Sequence, residues 1–318
     1  MWNYQLPDLM AAGPRCITYD RRGHGRSDRP GTGYDIDTLA DDLGALIERL
    51  DLSGITLIGH SMGAAEVVRY VTRHGAGRVD RIVPSGTVTP MLLQSADNPD
   101  GIPAGAAAQA RAVMTRDIGD WMEMSGKAEY FYGEHPVSQQ LMDWTLSKIA
   151  DVPVPIMAQT SDAFLRADFR SELTRLTVPT LVLHGTADAS APIALTGRKT
   201  AALIPDCRST WIDGAGHGLY VSETPRYNAA LLDFIETAKP RNQPAYSTAP
   251  SSSTIRVSAP SDPDASVRNT ALPGSVRQIS VVSVSPGNTG EVNRDSIEIT
   301  LAATPLPSSA TSARPETP

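Results

Sequence analysis

The stretch "GITLIGHSMGAAEVVRYVTRHG", residues 54–75, decides how the chain is read. Four apolar or β-branched residues, "ITLI" at 55–58, predict a strand, and the pattern from about Met62 to Arg73 predicts a helix ending at Gly75, a suitable residue just past a helix C-terminus. Ser61 stands at the seam between Gly59 and Gly63. A residue at so sharp a strand-to-helix turn is held in a strained backbone conformation, and flanking glycines let the two elements approach closely enough to allow it. The strain lifts the hydroxyl out of the sheet, while the N-terminus of the helix points backbone N–H groups at the same spot. G-x-S-x-G in this context predicts a nucleophile elbow, with Ser61 as nucleophile and the Met62 N–H as an oxyanion donor.

Working outward, "RCITYD" (15–20), "RIVPSG" (81–86), "PTLVLHG" (179–185) and "RSTWID" (208–213) are further strand candidates. "DIDTLADDLGALIERLDL" (35–52) predicts a helix with Leu39, Leu43, Leu46 and Leu50 on one stripe and Asp35 or Asp37 as N-cap, and "ETPRYNAALLDFIETA" (223–238) predicts a closing helix. Strands alternating with helices imply an α/β fold with a mainly parallel sheet. Between about 87 and 170 this rhythm gives way to Ala-, Met- and Trp-containing segments, expected to form a helical cap insertion over one end of the sheet.

A serine hydroxyl needs a base, and the base needs an orienting acid. "LVLHGTADASAP" puts Asp188 just past the carboxyl end of a strand, where open α/β sheets build their sites, and "IDGAGHGLY" puts His217 in a glycine-bracketed loop after the last strand. Asp213, also near His217, is the competing acid. The catalytic expectation is therefore Ser61, Asp188 and His217. Trp121, Trp144 and the methionines Met122, Met124 and Met142 of the insertion are candidate pocket residues, as are Pro90, Met91 and Leu92, which follow a strand near the expected mouth.

Composition sets the outer bounds. The chain has 318 residues, is 41% apolar and carries a net charge of -7 without a cluster of Lys and Arg, which argues against a nucleic-acid or anionic-membrane partner. No apolar run reaches the length of a membrane span, and "MWNYQLPDLMAAG" (1–13) lacks the blocks of a signal peptide. Cys16 and Cys207, both in strand-like runs, are expected to be buried reduced thiols, consistent with a cytoplasmic protein. The other histidines show no paired ligand spacing, and no metal or cofactor is expected. Residues 1–239 read as the catalytic domain. Residues 240–318, rich in Ser, Thr, Pro and Ala and without Trp, Phe, Met, Cys or Lys, are expected to be a disordered tail dispensable for folding. "QISVVSVS" (278–285) and "SIEITLAAT" (296–304) are its strand-like pieces; were the tail to pack on the body, the first is the segment suited to fill a vacant sheet edge.

The runs "YDRRGHGRSDRP" (19–30), "GHSMG" (59–63), "VVRYVTRHG" (67–75), "VPTLVLHGTADASAP" (178–192) and "GAGHGLY" (214–220) resemble the cofactor-free haloperoxidase and aryl-esterase branch of the α/β-hydrolases, over residues 1 to about 238. The resemblance implies an eight-stranded, mostly parallel sheet and hydrolysis of a small carboxylic ester or lactone through an acyl-enzyme on Ser61. It implies as alternatives a haloperoxidase or perhydrolase, in which hydrogen peroxide replaces water, or a truncated, catalytically silent homologue. The same resemblance implies that the sequence starts just after a His-Gly-aromatic loop that supplies a second oxyanion N–H and lacks the first three strands, so that either the start is misplaced or the chain is an N-terminally truncated fragment. The third of these strands would lie between the strands at 15–20 and 55–58, which must otherwise close up and pair directly.

Overall fold

All five strands read from the catalytic region form: β1 (Cys16–Arg21), β2 (Ile55–His60), β3 (Val79–Ser85), β4 (Thr180–Gly185) and β5 (Cys207–Ile212). The computed structural model describes residues 1–125, 131–238 and, as backbone, 275–282. Strands β2 to β5 are parallel neighbours. Their apolar residues alternate between faces, as the two-residue period of a strand requires. Ile55, Leu57, Val79, Ile82 and Val182 pack on one side with the helices α2 (Ile36–Arg49) and α3 (Met62–His74). Ile58, Val83, Leu181, Leu183 and Ile212 pack on the other with Trp2, with Leu9 of the short helix α1 (Leu6–Ala11), and with Tyr227, Leu231 and Phe234. Helices thus cover both faces, as an α/β-hydrolase fold requires.

Two helices illustrate how local sequence sets local structure. Asp35 caps α2 by accepting from the Thr38 N–H at 2.8 Å, and the buried stripe is Ile36, Leu39, Ala40, Leu43 and Ile47. Leu46 and Leu50, expected on that stripe, are only half-buried, because the stripe drifts with the 3.6-residue period toward Ile47. Helix α3 ends at Gly75, whose φ of 82° is readily adopted only without a side chain. Cys16 and Cys207, expected to be buried, are free but only half-buried, since each opens its strand.

The departure from expectation lies between β1 and β2. They neither pair directly nor stand apart. A sixth strand, β6 (Ser275–Val282), runs antiparallel to both, giving the order β1-β6-β2-β3-β4-β5 among the described residues. Ile279 stands opposite Tyr19 on one side and Gly59 on the other, and Val281 opposite Ile17 and Leu57. The sheet is six-stranded there rather than eight-stranded, and its compact unit extends past the boundary expected at 239/240. The tail, expected to be disordered, forms over 275–282 a strand whose β-branched composition suits a position paired on both edges. The second strand-like piece, 296–304, lies outside the described residues.

The insertion is helical: α4 (Ala104–Arg116), α5 (Ile118–Ser125), α6 (Gln139–Ala150) and α7 (Val154–Arg166). Tyr34, Met114, Val152, Ile156 and Met157 form a separate small core beneath it. No helix among the described residues is long and apolar enough to cross a membrane.

Candidate active site

Ser61 has φ 57° and ψ -122°, a strained backbone for a residue with a side chain, between the end of β2 and the first turn of α3. The turn is closed by Ser61 N–H donating to the Ser85 carbonyl at 2.9 Å and Ala64 N–H to the Ser61 carbonyl at 3.0 Å. It also requires Gly59, since a Cβ there would collide with the Gly63 carbonyl oxygen. Met62, buried, is the first helical residue, and the first N–H groups of a helix have no intrahelical acceptor.

His217 lies in the loop after β5, buried, with Nδ1 2.8 Å from Asp188 Oδ2. Asp188, in the turn after β4, is also buried, and its Oδ1 accepts from the Ala191 N–H at 2.7 Å. Burial alone would raise the Asp188 pKa, but the His217 charge and the hydrogen bonds from His184 and His217 together hold it far below the usual carboxylate range. With Asp188 ionised, the Nδ1 of His217 carries the proton and Nε2 is left free to accept one. Asp213, the competing acid, is exposed and accepts from the Thr186 hydroxyl at 3.0 Å. His60 packs its ring 4.6 Å from that of His217, and burial, then the His217 charge, holds it neutral. Gly86 makes room for both rings: a Cβ there would come within 2.6 Å of His60 Cε1 and 3.4 Å of His217 Nδ1.

Ser61 and His217 open into one cavity of about 430 Å³, within the range of small-molecule sites. Its walls are mainly apolar, with Met114, Trp121, Met122, Phe131, Met142 and Phe164 among the lining residues. Trp121, Met122 and Met142 were legible as pocket candidates. Trp144 and Met124 are exposed on the outer side of the insertion, because an amphipathic helix turns only one stripe toward the cavity. Pro90, Met91 and Leu92, expected near the mouth, do not line the cavity. The Pro90 carbonyl accepts from the Phe169 N–H at 2.8 Å, the Met91 carbonyl from Asn98 Nδ2 at 3.2 Å, and Leu92 is buried in the main core. Among the described residues no group of three or more His, Cys, Asp and Glu side chains is arranged to hold a metal ion.

A contact that no motif announced ties the insertion to the histidine loop. Gly216 N–H donates to the Tyr132 carbonyl at 3.0 Å, Gly218 N–H to the Phe131 carbonyl at 2.6 Å, and Glu134 N–H to the Gly214 carbonyl at 2.8 Å. The glycines of "GAGHG" permit this ladder, since a Cβ on Gly216 would collide with the Gly133 amide nitrogen. Gly216→Ala is therefore expected to displace His217 and, if His217 is the base that the sequence predicts, to lower kcat by about 100-fold, the typical effect of an ångström-scale misplacement of a catalytic group. Steady-state kinetics on a folded variant checks this; an unchanged kcat would free the ladder of any positioning role.

The family model of the alpha/beta hydrolase fold matches residues 1–224. Among curated proteins, the chain is 37% identical over 242 residues to a non-heme chloroperoxidase, CPO-A1, of Kitasatospora aureofaciens, covering 74% of this chain and 86% of that protein. Among solved structures it is similar to a bromoperoxidase from Bacillus anthracis, at 35% identity with a TM-score of 0.71, covering 74% of this chain and 86% of the other. An esterase from Exiguobacterium antarcticum, EaEST, matches at 28% identity and the same TM-score of 0.71, covering 74% and 87% respectively.

Proposed function

The chain belongs to the alpha/beta hydrolase fold family, and from that premise we propose that it is a serine hydrolase cleaving a small carboxylic ester or lactone through an acyl-enzyme on Ser61. One observation carries the reading: a serine on a strained strand-to-helix turn and a histidine paired with a buried carboxylate open into the same apolar cavity. His217 Nε2 takes the Ser61 hydroxyl proton as the oxygen attacks the substrate carbonyl, and then returns it to the departing alkoxide. Asp188 keeps the imidazole in the required tautomer and stabilises the imidazolium. The Met62 N–H donates to the oxyanion. Water, deprotonated by the same histidine, then releases the acid from Ser61. The substrate is a small molecule whose apolar part fills the space between Trp121, Phe131 and Met142.

Hydrolysis of a chromogenic acetate and labelling by a fluorophosphonate probe test this reading. Asp188→Ala is expected to lower turnover by about 1,000- to 10,000-fold, while Asp213→Ala stays within a few-fold. The reverse ranking would move the acid. A second reading is favoured by the similarity to the chloroperoxidase and the bromoperoxidase. In it hydrogen peroxide, in place of water, attacks the acyl-enzyme and leaves as a peracid, which oxidises halide. Peroxide- and carboxylate-dependent bromination separates the two readings, and a chain showing neither activity nor probe labelling would be a silent homologue.

A further inference from the structure

His184, near the end of β4, is fully buried, and the mechanism above gives it no part. Its Nε2 lies 2.9 Å from the Ala191 carbonyl oxygen and 3.2 Å from Asp188 Oδ2. Both neighbours are acceptors: a carbonyl has no proton, and Asp188 is ionised. Nε2 must therefore carry the hydrogen. The other ring nitrogen, Nδ1, has no hydrogen-bond partner and faces Gly197, where a Cβ would come within 2.7 Å of it. A protonated Nδ1 in that position would be a buried N–H without an acceptor, so the geometry selects the neutral Nε2–H tautomer. The same Asp188 Oδ2 also receives the Nδ1–H of His217 at 2.8 Å. Two histidine nitrogens thus lie against one carboxylate oxygen, His184 through the longer contact of an N–H whose nearer acceptor is the Ala191 carbonyl, and the Ala191 N–H holds the other oxygen.

We propose, resting on the serine-hydrolase reading, that His184 is a positioning residue for the reaction: its Nε2–H pins the Asp188 carboxylate in plane with His217 and sets how strongly Oδ2 binds the proton-bearing imidazole. The physical reason is that negative charge on Oδ2 is divided between two donors. With the His184 donor removed, that charge falls on His217 alone, which favours its imidazolium form and makes it slower to pass the proton on. The carboxylate also loses one of the three polar contacts that hold it, the other two being His217 Nδ1 and the Ala191 N–H. The other polar groups around His217 stay in place in such a variant: neutral His60 from β2, Tyr220 behind it at a ring distance of 4.9 Å, and the Arg111–Asp162 ion pair on the cavity wall. A change in His217 titration would then report the lost donor.

The test compares the unaltered chain with His184→Leu, which has no donor, and His184→Gln, whose amide nitrogen can reach the Nε2 position. Ring-nitrogen NMR spectra read the tautomer of His184 and the titration of His217 without requiring turnover. Expected are an Nε2–H tautomer for His184 in the unaltered chain, a His217 titration moved to higher pH in His184→Leu, and its return toward the original pH in His184→Gln. The acid limb of kcat/KM should move the same way, with kcat lower by roughly 10- to 100-fold in the leucine variant, as for loss of one hydrogen bond to a charged group. An Nδ1–H tautomer in the unaltered chain overturns the proposal even if His184→Leu does not fold. So does a folded leucine variant whose His217 titrates at the original pH. An unaltered chain without ester turnover or probe labelling counts against the hydrolase reading instead, and the NMR outcome still decides the role of His184.

Discussion

Ser61→Ala is expected to fold like the parent protein and to lose turnover by about 10,000-fold or more. The first half follows from packing. The turn is held by the backbone of Ser61, which bonds to Ser85 and Ala64, so deleting the oxygen leaves those bonds intact. Alanine meets the φ of 57° at no greater cost than serine. The second half follows from the proposed chemistry, in which an acyl-enzyme forms on Oγ: without that oxygen, His217 and Asp188 would have nothing to activate except water. Residual turnover would come from the oxyanion donor and the cavity alone. Matched melting curves with a collapse of kcat and of fluorophosphonate labelling are the expected result. Equal labelling of parent and variant would place the nucleophile elsewhere.

The largest effect on stability is expected from ending the chain after residue 239. β6 is paired with β1 over Cys16–Tyr19 and with β2 over Thr56–Gly59. Removing it strips partners from both facing strands at once. Each backbone group left buried and unpaired costs roughly 1 to 3 kcal/mol, so several of them together are comparable to the net stability of an ordinary domain, about 5 to 15 kcal/mol. The shortened chain should be insoluble, or should melt well below the full chain. Ile279→Pro isolates the cause, since it removes one backbone donor in mid-strand and leaves the rest of the tail in place. A chain of residues 1–239 with the melting temperature and turnover of the full protein would show that β6 contributes nothing, and would restore the expectation of a dispensable tail.

The elements around the site were legible because each is dictated by neighbours in the chain. "ITLIGHSMG" carries strand, glycines and helix start within a few residues, and the cap at Asp35 and the stop at Gly75 are likewise local. Asp188 and His217 were legible as residue types in loops at strand ends, and the place of Asp188 just past a strand's carboxyl end favoured it over Asp213. What the sequence did not carry is the contact itself: Asp188 turns inward to a buried oxygen–nitrogen contact of 2.8 Å, and Asp213 turns outward to Thr186. The pocket was only half legible. Helical periodicity marks Trp121 and Met142 as apolar, but it does not reveal which side of a helix faces a cavity and which, as at Trp144, faces solvent.

The sequence by itself determined the α/β alternation, the elbow at Ser61 and the loops that carry Asp188 and His217, because strand period, helix period, capping and glycine backbone freedom act over a few residues. Tertiary structure alone decided the rest. It seated β6 between β1 and β2, laid Phe131–Glu134 along the histidine loop, and brought His184 onto the oxygen of Asp188 that His217 uses. A lone strand, a peptide carbonyl and a buried histidine nitrogen are chemically generic. What each pairs with is settled only when distant segments pack, since a buried polar group must then take whichever partner the fold brings within about 3 Å.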